Sequence, residues 1–422
     1  MDRLLCISNE PFSLGSANGR TLMNLLREYD RAALAQFYIH GKPDTTFCSN
    51  YFCVSDRAAL NAFLHRKEQQ QAQPGEKPSG GNGAVRPVRK SCRNRLLRDI
   101  VWQSCAWWTT DFDAFLDNFA PQIVLLQAGD APFMYAIARK IARRYNARLV
   151  MYNSENYVLK QYLYAGARQE GIWHTLLKHR LKTQYRRFMQ RADFCIYSTE
   201  QLEEDYQNAY PHAGRSLTLY TVSELKPKHP GEPSAKDRFH LVYCGNLGVG
   251  RVKPLAELAR ILNEVDPDAK LEIYGRFVSQ AEQELLCAEP NVMYHGVVDY
   301  SSVSEVLQTA DMIVHCENSE RLINLRAAFS TKIADSLAVG TPFLVYADKG
   351  YPFVQYLLRN RCAHIAGDTE ELREILNKCR CDLPYRWQFI PNALETAKAN
   401  HSVQNNCSRF NAAMESLSCK AK

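Results

Sequence analysis

The stretch FSTKIADSLAVGTPFLVYAD, residues 329–348, decides how this chain is read. Ile333, Ala334, Leu337 and Ala338 recur at the three-and-four spacing of an amphipathic helix. Gly340 stands where a C′ residue ends a helix, and Pro342 follows closely. Phe343-Leu344-Val345-Tyr346 then reads as a short buried strand. The stretch therefore predicts loop, helix, tight turn and strand. The first amides of such a helix have no partner within it and point outward, which makes an anion site. Ser330, Thr331 and Lys332 stand at that front, and Lys332 adds a full positive charge.

The same alternation extends outward on both sides. HLVYC (240–244) reads as a strand, followed by the loop GNLGVGR and a helix over 254–265. Strands follow at 270–274, 292–295 and 312–315, with a helix over 303–308. In the first half, strands at 3–8, 34–39, 123–126, 148–152 and 194–198 alternate with helices such as 20–28 and 133–144. This pattern predicts an α/β protein with mainly parallel sheets. SELKPKHPGEPSAKDR (223–238) breaks the pattern as an interdomain linker would. The expected organisation is a first domain over 1–225, a linker over 226–238, a second domain over 239–390 and a helical tail over 391–422. Residues 66–98, rich in Gln, Gly, Pro and Arg, predict a disordered insertion.

At 422 residues the chain has room for two or three domains. A net charge of +7 suits an acidic ligand or an anionic membrane surface better than it suits a nucleic acid. The 14 Cys include no CxxC pair, and the N-terminus reads as a first strand, not as a secretion signal. Both point to reduced thiols in the cytoplasm. No run of 18 apolar residues exists to span a membrane.

Ligands of open parallel sheets bind beyond the carboxyl ends of the strands. There the second half offers Gly245, Asn246, Gly248, Arg251 and Lys253, then Tyr274 and Gly275, then Glu317 and Glu320, and finally Ser330, Thr331 and Lys332. Glycines let backbone approach a ligand, and the cations suit phosphate. Together they describe a site for a diphosphate carrying hydroxyl-rich groups. Asp111-Phe112-Asp113 has the spacing of a metal-binding carboxylate pair but reads as a solvated turn.

YCGNLGVGR, LEIYG, VMYHGVVDYSSVSEVLQTADMIVHCE and FSTKIADSLAVGTPFLVYA resemble the nucleotide-binding domain of GT-B glycosyltransferases, above all bacterial retaining family 4 members. The resemblance implies two Rossmann-like domains with parallel sheets facing across a cleft. The second would hold a nucleotide-sugar, the first an acceptor, and the last helix would cross back to the first. It implies a donor diphosphate over the helix beginning near Thr331, neutralised by Lys332 and Arg251, with Lys253 as helper. It sets Asp335 where the family has a ribose-binding Glu. A second family Glu, eight positions upstream, falls on Ala327; alignment from the strand at 312–315 puts Glu320 in its place, with Glu317 as an equal rival. The base would lie near His295-Gly296-Val297.

On the acceptor side stand Gly15, Asn18 and Gly19 in the first loop, and Glu155 in the NSEN loop as a catalytic candidate. Each also has a structural reading, as a loop before a helix or an exposed cap. The activity implied is transfer of a sugar, with retention and without cofactor or obligatory metal, to a saccharide or lipid-linked acceptor in polysaccharide or glycoconjugate assembly. A sugar-nucleotide epimerase and a non-catalytic nucleotide- or partner-binding protein are the alternatives.

One further stretch, TLLKHRLKTQYRRFMQR (175–191), places Leu177, Leu181, Tyr185 and Phe188 in one stripe flanked by Lys and Arg. That is the layout of a helix lying on an anionic bilayer, or of a domain helix with its stripe in the core. The basic insertion and the Trp102, Trp107 and Trp108 cluster favour the bilayer, and with it a peripheral place at the inner face of the membrane.

Overall fold

The computed structural model describes residues 1–65, 91–160, 171–212, 214–227, 239–318 and 327–418. Contacts divide the chain into two compact units. One comprises Met1–Tyr197, Glu203–Thr218 and Phe410–Lys422; the other comprises Ser198–Leu202 and Leu219–Arg409.

The first unit is built on a parallel sheet of β1 (Leu4–Ile7), β2 (Leu34–Tyr38), β3 (Tyr51–Cys53), β4 (Ile123–Gln127), β5 (Arg148–Asn153), β6 (Phe194–Tyr197) and β7 (Arg215–Thr218). Their order is β3-β2-β1-β4-β5-β6-β7. Strands β1, β2, β4 and β6 are buried along their whole length, as strands covered by helices on both faces must be. Within this unit Phe410 of the last helix meets Tyr29 edge to face at 6.2 Å.

Two expectations for this unit are corrected. The insertion expected over 66–98 gives way at Cys92 to a helix, Cys92–Gln103, capped by the Ser91 hydroxyl on the Asn94 amide. Its charges are not solvent-bound, because Arg98 bonds Asp56 at 2.7 Å and the buried Asp99 bonds Arg180 at 2.9 Å. Residues 66–90 lie outside the described residues. The stripe Leu177, Leu181, Tyr185 and Phe188 on the Gly171–Met189 helix faces the core and is fully buried. The bilayer reading of 175–191 therefore fails.

The tryptophans follow the same rule. Trp102 and Trp107 are buried against Phe37, and Trp102 stacks on Phe133 at 4.7 Å. Asp111 and Asp113 stand in the first turn of the Thr110–Phe119 helix, where acids favour the dipole, and not in a solvated turn. Asp113 accepts from Trp108 and Arg144. Trp102→Ala is expected to cost about 3–5 kcal/mol of stability, as cavity formation at a buried aromatic does. Denaturant unfolding measures it, and a loss below about 1 kcal/mol would contradict a core role.

The second unit contains a parallel sheet of β8 (His240–Cys244), β9 (Lys270–Tyr274), β10 (Val292–Gly296), β11 (Met312–Cys316), β12 (Phe343–Tyr346) and β13 (His364–Ala366). Its order is β10-β9-β8-β11-β12-β13. Alternation divides its side chains between two cores. Leu241, Tyr243, Leu271, Ile273 and Val314 pack with the Val252–Val265 helix. Val242, Ile313, Phe343 and Val345 pack with the Thr331–Ala338 helix.

The opening stretch folds as read. Ser330 precedes the Thr331–Ala338 helix, Gly340 takes a φ of +78°, and β12 follows. The helical tail is two helices, Ile390–Asn400 and Val403–Ser418. They break at His401, whose buried ring contacts the Thr221 carbonyl at 2.7 Å and the Tyr356 hydroxyl at 3.0 Å. Among the described residues no helix is long and apolar enough to cross a membrane, and the cysteines are free thiols.

Candidate functional site

In the second unit the strand order reverses between β8 and β11, which is where a doubly wound sheet opens a crevice for ligand. The loops leaving β8 and β11 carry Gly245–Arg251 and Glu317-Asn318. Backbone contacts fix the adjoining loops. The Gly245 amide donates to the Tyr274 carbonyl at 2.7 Å, and the Gly275 amide to the Gly296 carbonyl at 2.7 Å. A Cβ on Gly275 would fall 1.9 Å from the Gly245 carbonyl oxygen, so only glycine permits this approach. The Asn246 side chain closes the turn by accepting from the Gly248 amide at 2.8 Å.

Lys332 reaches this crevice from the first turn of the Thr331–Ala338 helix. Its aliphatic chain lies on Gly245, whose φ is +146° and whose Cβ would meet Lys332 Cδ at 2.1 Å. Its ammonium donates to the Tyr243 hydroxyl at 2.9 Å and to the Asn246 carbonyl at 3.4 Å. Both acceptors are neutral. Burial, and then the nearby Arg251 charge, push its pKa down to about 7, with Glu317 pulling weakly the other way. Ser330 makes no side-chain cap, and the Ile333 amide donates to the Ser330 carbonyl at 3.0 Å.

Arg251 and Glu317 join across the crevice. Arg251 Nε donates to Glu317 Oε1 at 2.9 Å, and Nη2 donates to the same oxygen. Arg251 Nη1 reaches the Asn246 carbonyl at 3.3 Å. Behind the pair, His315 Nε2 lies 3.2 Å from Glu317 Oε1. Burial opposes ionisation of Glu317, but hydrogen bonds and charge from His315 and Arg251 outweigh it and hold the carboxyl down at about 2. Burial lowers the His315 pKa to about 4, so the ring is neutral at pH 7 and its charge acts on Glu317 only in acid. Glu317 is thus a fixed anion that aims a guanidinium.

The other expected site residues are placed as follows. Asp335 is buried, and its Oδ1 accepts from Ser223 at 2.6 Å and Tyr300 at 3.2 Å. Tyr274 donates to Glu272 at 2.8 Å and stacks on His295 with centroids 4.6 Å apart. Thr331 is exposed at the helix start. Lys253 is exposed in the first turn of the Val252–Val265 helix and lines a cavity of about 570 Å³ with Glu317, Asn318 and Asp348. Glu320 lies outside the described residues.

In the first unit the acceptor-side residues have local duties. The Gly19 amide donates to Ser16 as part of a helix cap, and a Cβ there would fall 2.4 Å from the Pro11 carbonyl oxygen. The Gly15 amide donates to Ser13 at 3.2 Å, and Asn18 is half-buried in the Ala17–Leu25 helix. Glu155 is exposed and pairs with Lys160 at 3.3 Å. Sequence reading gave no role to Tyr243 or His315. Each sits on a strand like any core residue; Tyr243 meets Lys332 only through the fold, whereas His315 stands two residues before Glu317. Among the described residues no cluster of three or more His, Cys, Asp or Glu is placed to hold a metal ion.

Residues 226–393 match the family model described as glycosyl transferases group 1. No curated protein sequence matches the chain at a significant level. Among solved structures, HepE from Anabaena in complex with UDP is 12% identical, with a TM-score of 0.65 over 98% of this chain and 100% of that one. Sucrose-phosphate synthase from Thermosynechococcus elongatus is 12% identical, with a TM-score of 0.62 over 100% of both chains. A trehalose-phosphate synthase from Burkholderia xenovorans is 11% identical, with a TM-score of 0.57 over 98% of this chain and 100% of that one. At such identities the likeness is one of fold. The chain is an α/β protein of the GT-B fold whose second unit matches the glycosyl transferases group 1 model over residues 226–393.

Proposed function

We propose that this protein transfers a sugar from a nucleotide-sugar to a saccharide or lipid-linked acceptor during glycoconjugate or polysaccharide assembly. The observation that carries the reading is Lys332: a half-buried ammonium on neutral oxygens, at an uncapped helix start, beside Arg251 on the switch point. The group 1 match and the UDP-glucose bound by the HepE neighbour support a nucleotide-sugar donor. As the sugar–oxygen bond breaks, charge collects on the departing diphosphate. Lys332, Arg251 and the helix amides are preorganised to meet it, the kind of electrostatic stabilisation that can dominate a rate enhancement. Protein cations thus take the charge work in this proposal, and no metal is assigned a role. Retention of configuration is proposed from the sequence resemblance.

Within this reading Glu317 positions Arg251. A carboxyl held near 2 carries no proton to give at neutral pH, so it is not proposed as a general acid. Asp335 is committed to Ser223 and Tyr300. That commitment, with Ala327 at the upstream family position, favours a second reading, a nucleotide-binding protein without turnover. Incubation with labelled nucleotide-sugars and a saccharide and lipid extract separates the two. Incorporation of label from one donor, abolished in Lys332→Ala, supports transfer. Saturable donor binding with no incorporation supports the second reading.

A further inference from the structure

The cavity of about 570 Å³ on the Lys253 side of Glu317 takes no part in the proposed charge stabilisation. Its volume lies within the range of small-molecule sites, roughly 300–1,000 Å³. It opens between the Val252–Val265 helix and the carboxyl ends of β11, β12 and β13, where Asn318, Asp348 and Gly367 stand. It shares Glu317 with the crevice. Glu317 is 6% exposed, and only one of its carboxylate oxygens is engaged. Arg251 and His315 both lie against Oε1, while the buried Oε2 has no hydrogen-bond partner among the described residues. A buried carboxylate oxygen without a donor costs free energy until one arrives.

The wall selects the ligand. Glu257, Glu317 and Asp348 bring three carboxylates against two cations, Lys253 and Arg260. Arg260 pairs with Glu289 at 2.7 Å, and the Tyr346 hydroxyl donates to Glu257 at 2.5 Å. Lys253 is exposed, so solvent and salt screen it, whereas the buried Glu317 is screened little. Asp348 is half-buried, and its Oδ1 accepts from the Gly350 amide at 2.7 Å. A hydroxyl or an ammonium brings the donor that Glu317 Oε2 lacks. A carboxylate brings no donor and sets like charge against Glu317 and Asp348.

We infer that this cavity receives the sugar of the nucleotide-sugar and restricts it to one that carries no acid group, excluding uronic acids. The inference rests on the transfer reading and deepens it. A diphosphate held by Lys332 and Arg251 brings its sugar beside Glu317, because Arg251 and Glu317 form one hydrogen-bonded pair. Asp348 thereby becomes a specificity-determining residue outside the anion site.

Calorimetric titration of the full chain with UDP, UDP-glucose and UDP-glucuronate, and with GDP, GDP-mannose and GDP-mannuronate, tests it. Within each set the nucleotide is constant, and the two esters differ only in the oxidation state of C6. The neutral ester is expected to bind at least about tenfold more tightly than its uronate, the effect of one like-charge contact. Asp348→Asn is expected to narrow that gap by strengthening the uronate, a gain that a merely structural role would not produce. The variant's thermal midpoint checks its folding. Equal or tighter binding of the uronate, or a gap that Asp348→Asn leaves as it was, would overturn the inference while bare UDP or GDP still binds. Failure of the bare nucleotides and of every ester would overturn the transfer reading, and this inference with it.

Discussion

Lys332→Ala is expected to weaken binding of a nucleotide-sugar by about ten- to a hundredfold. That is the worth of one charge-assisted hydrogen bond to phosphate, about 1.5–3 kcal/mol. The pH dependence carries a sharper signature. Lys332 has a pKa near 7 in the free protein, and a bound diphosphate must raise it. Affinity should be level below pH 7 and should fall by up to about tenfold per unit above it, while Lys332→Ala stays flat. A nucleotide-sugar is the ligand to use, because the terminal phosphate of a free nucleotide itself titrates near about 6. Calorimetry across pH 6–9 would show proton uptake on binding by the wild type.

The same group makes a stability prediction of opposite sign. A lysine whose pKa falls on folding binds its proton more tightly in the unfolded chain. The ligand-free fold is therefore penalised while the ammonium is charged, and gains stability as pH rises from 7 toward 10. Lys332→Met removes the penalty and keeps the stem on Gly245. It should raise the ligand-free thermal midpoint at pH 6–7 while abolishing the midpoint shift given by nucleotide. A site residue that costs stability and supplies binding is the usual trade at functional positions.

Glu317→Ala is expected to be the most damaging single change in the second unit, at about 3–5 kcal/mol, because it leaves Arg251 buried without its anion. Glu317→Gln keeps one acceptor for Arg251 and should cost less. Combined with Arg251→Met, the loss should be smaller than the sum of the single changes, and a double-mutant cycle by denaturant unfolding measures the coupling. Acid should find the same weakness. His315 is depressed to about 4, so its contribution fades as pH falls from its unfolded value near 6.5. Glu317, held at about 2, contributes stability that is complete above its unfolded value near 4.5 and lost as pH falls toward 2. Stability of the wild type should decline from about pH 6.5 downward, and Glu317→Gln should flatten the lower part of that fall.

The helix and strand at 329–348 were legible because spacing, Gly340 and Pro342 agree on one answer. The cations of the crevice, Arg251 and Lys332, were legible for a related reason: the carboxyl ends of parallel strands are where ligand-binding groups gather. Other features depend on which strands become neighbours. Arg251 and Glu317 are 66 residues apart, and only the β8–β11 pairing turns a loop arginine and a loop glutamate into one buried ion pair.

The helix at Gly171–Met189 shows the limit from the other side. Its one apolar stripe fits a bilayer or a core equally from sequence, and packing put Leu177, Leu181, Tyr185 and Phe188 in the core. The helix beginning at Cys92 was hidden for a compositional reason. Its arginines resembled the preceding Gly- and Gln-rich run until Asp56, Asp99 and Asp130 were seen to pair with them or their neighbours.

Equilibrium titration of the full chain with UDP, GDP and ADP and their glucose or mannose esters, alongside Lys332→Ala, tests the central claim most directly. The account predicts that one nucleotide series binds the wild type and raises its thermal midpoint, as any ligand of the folded state must, and that the variant loses both effects. Absence of binding by every member, or binding that Lys332→Ala leaves unchanged, would contradict a diphosphate site at the start of the Thr331–Ala338 helix.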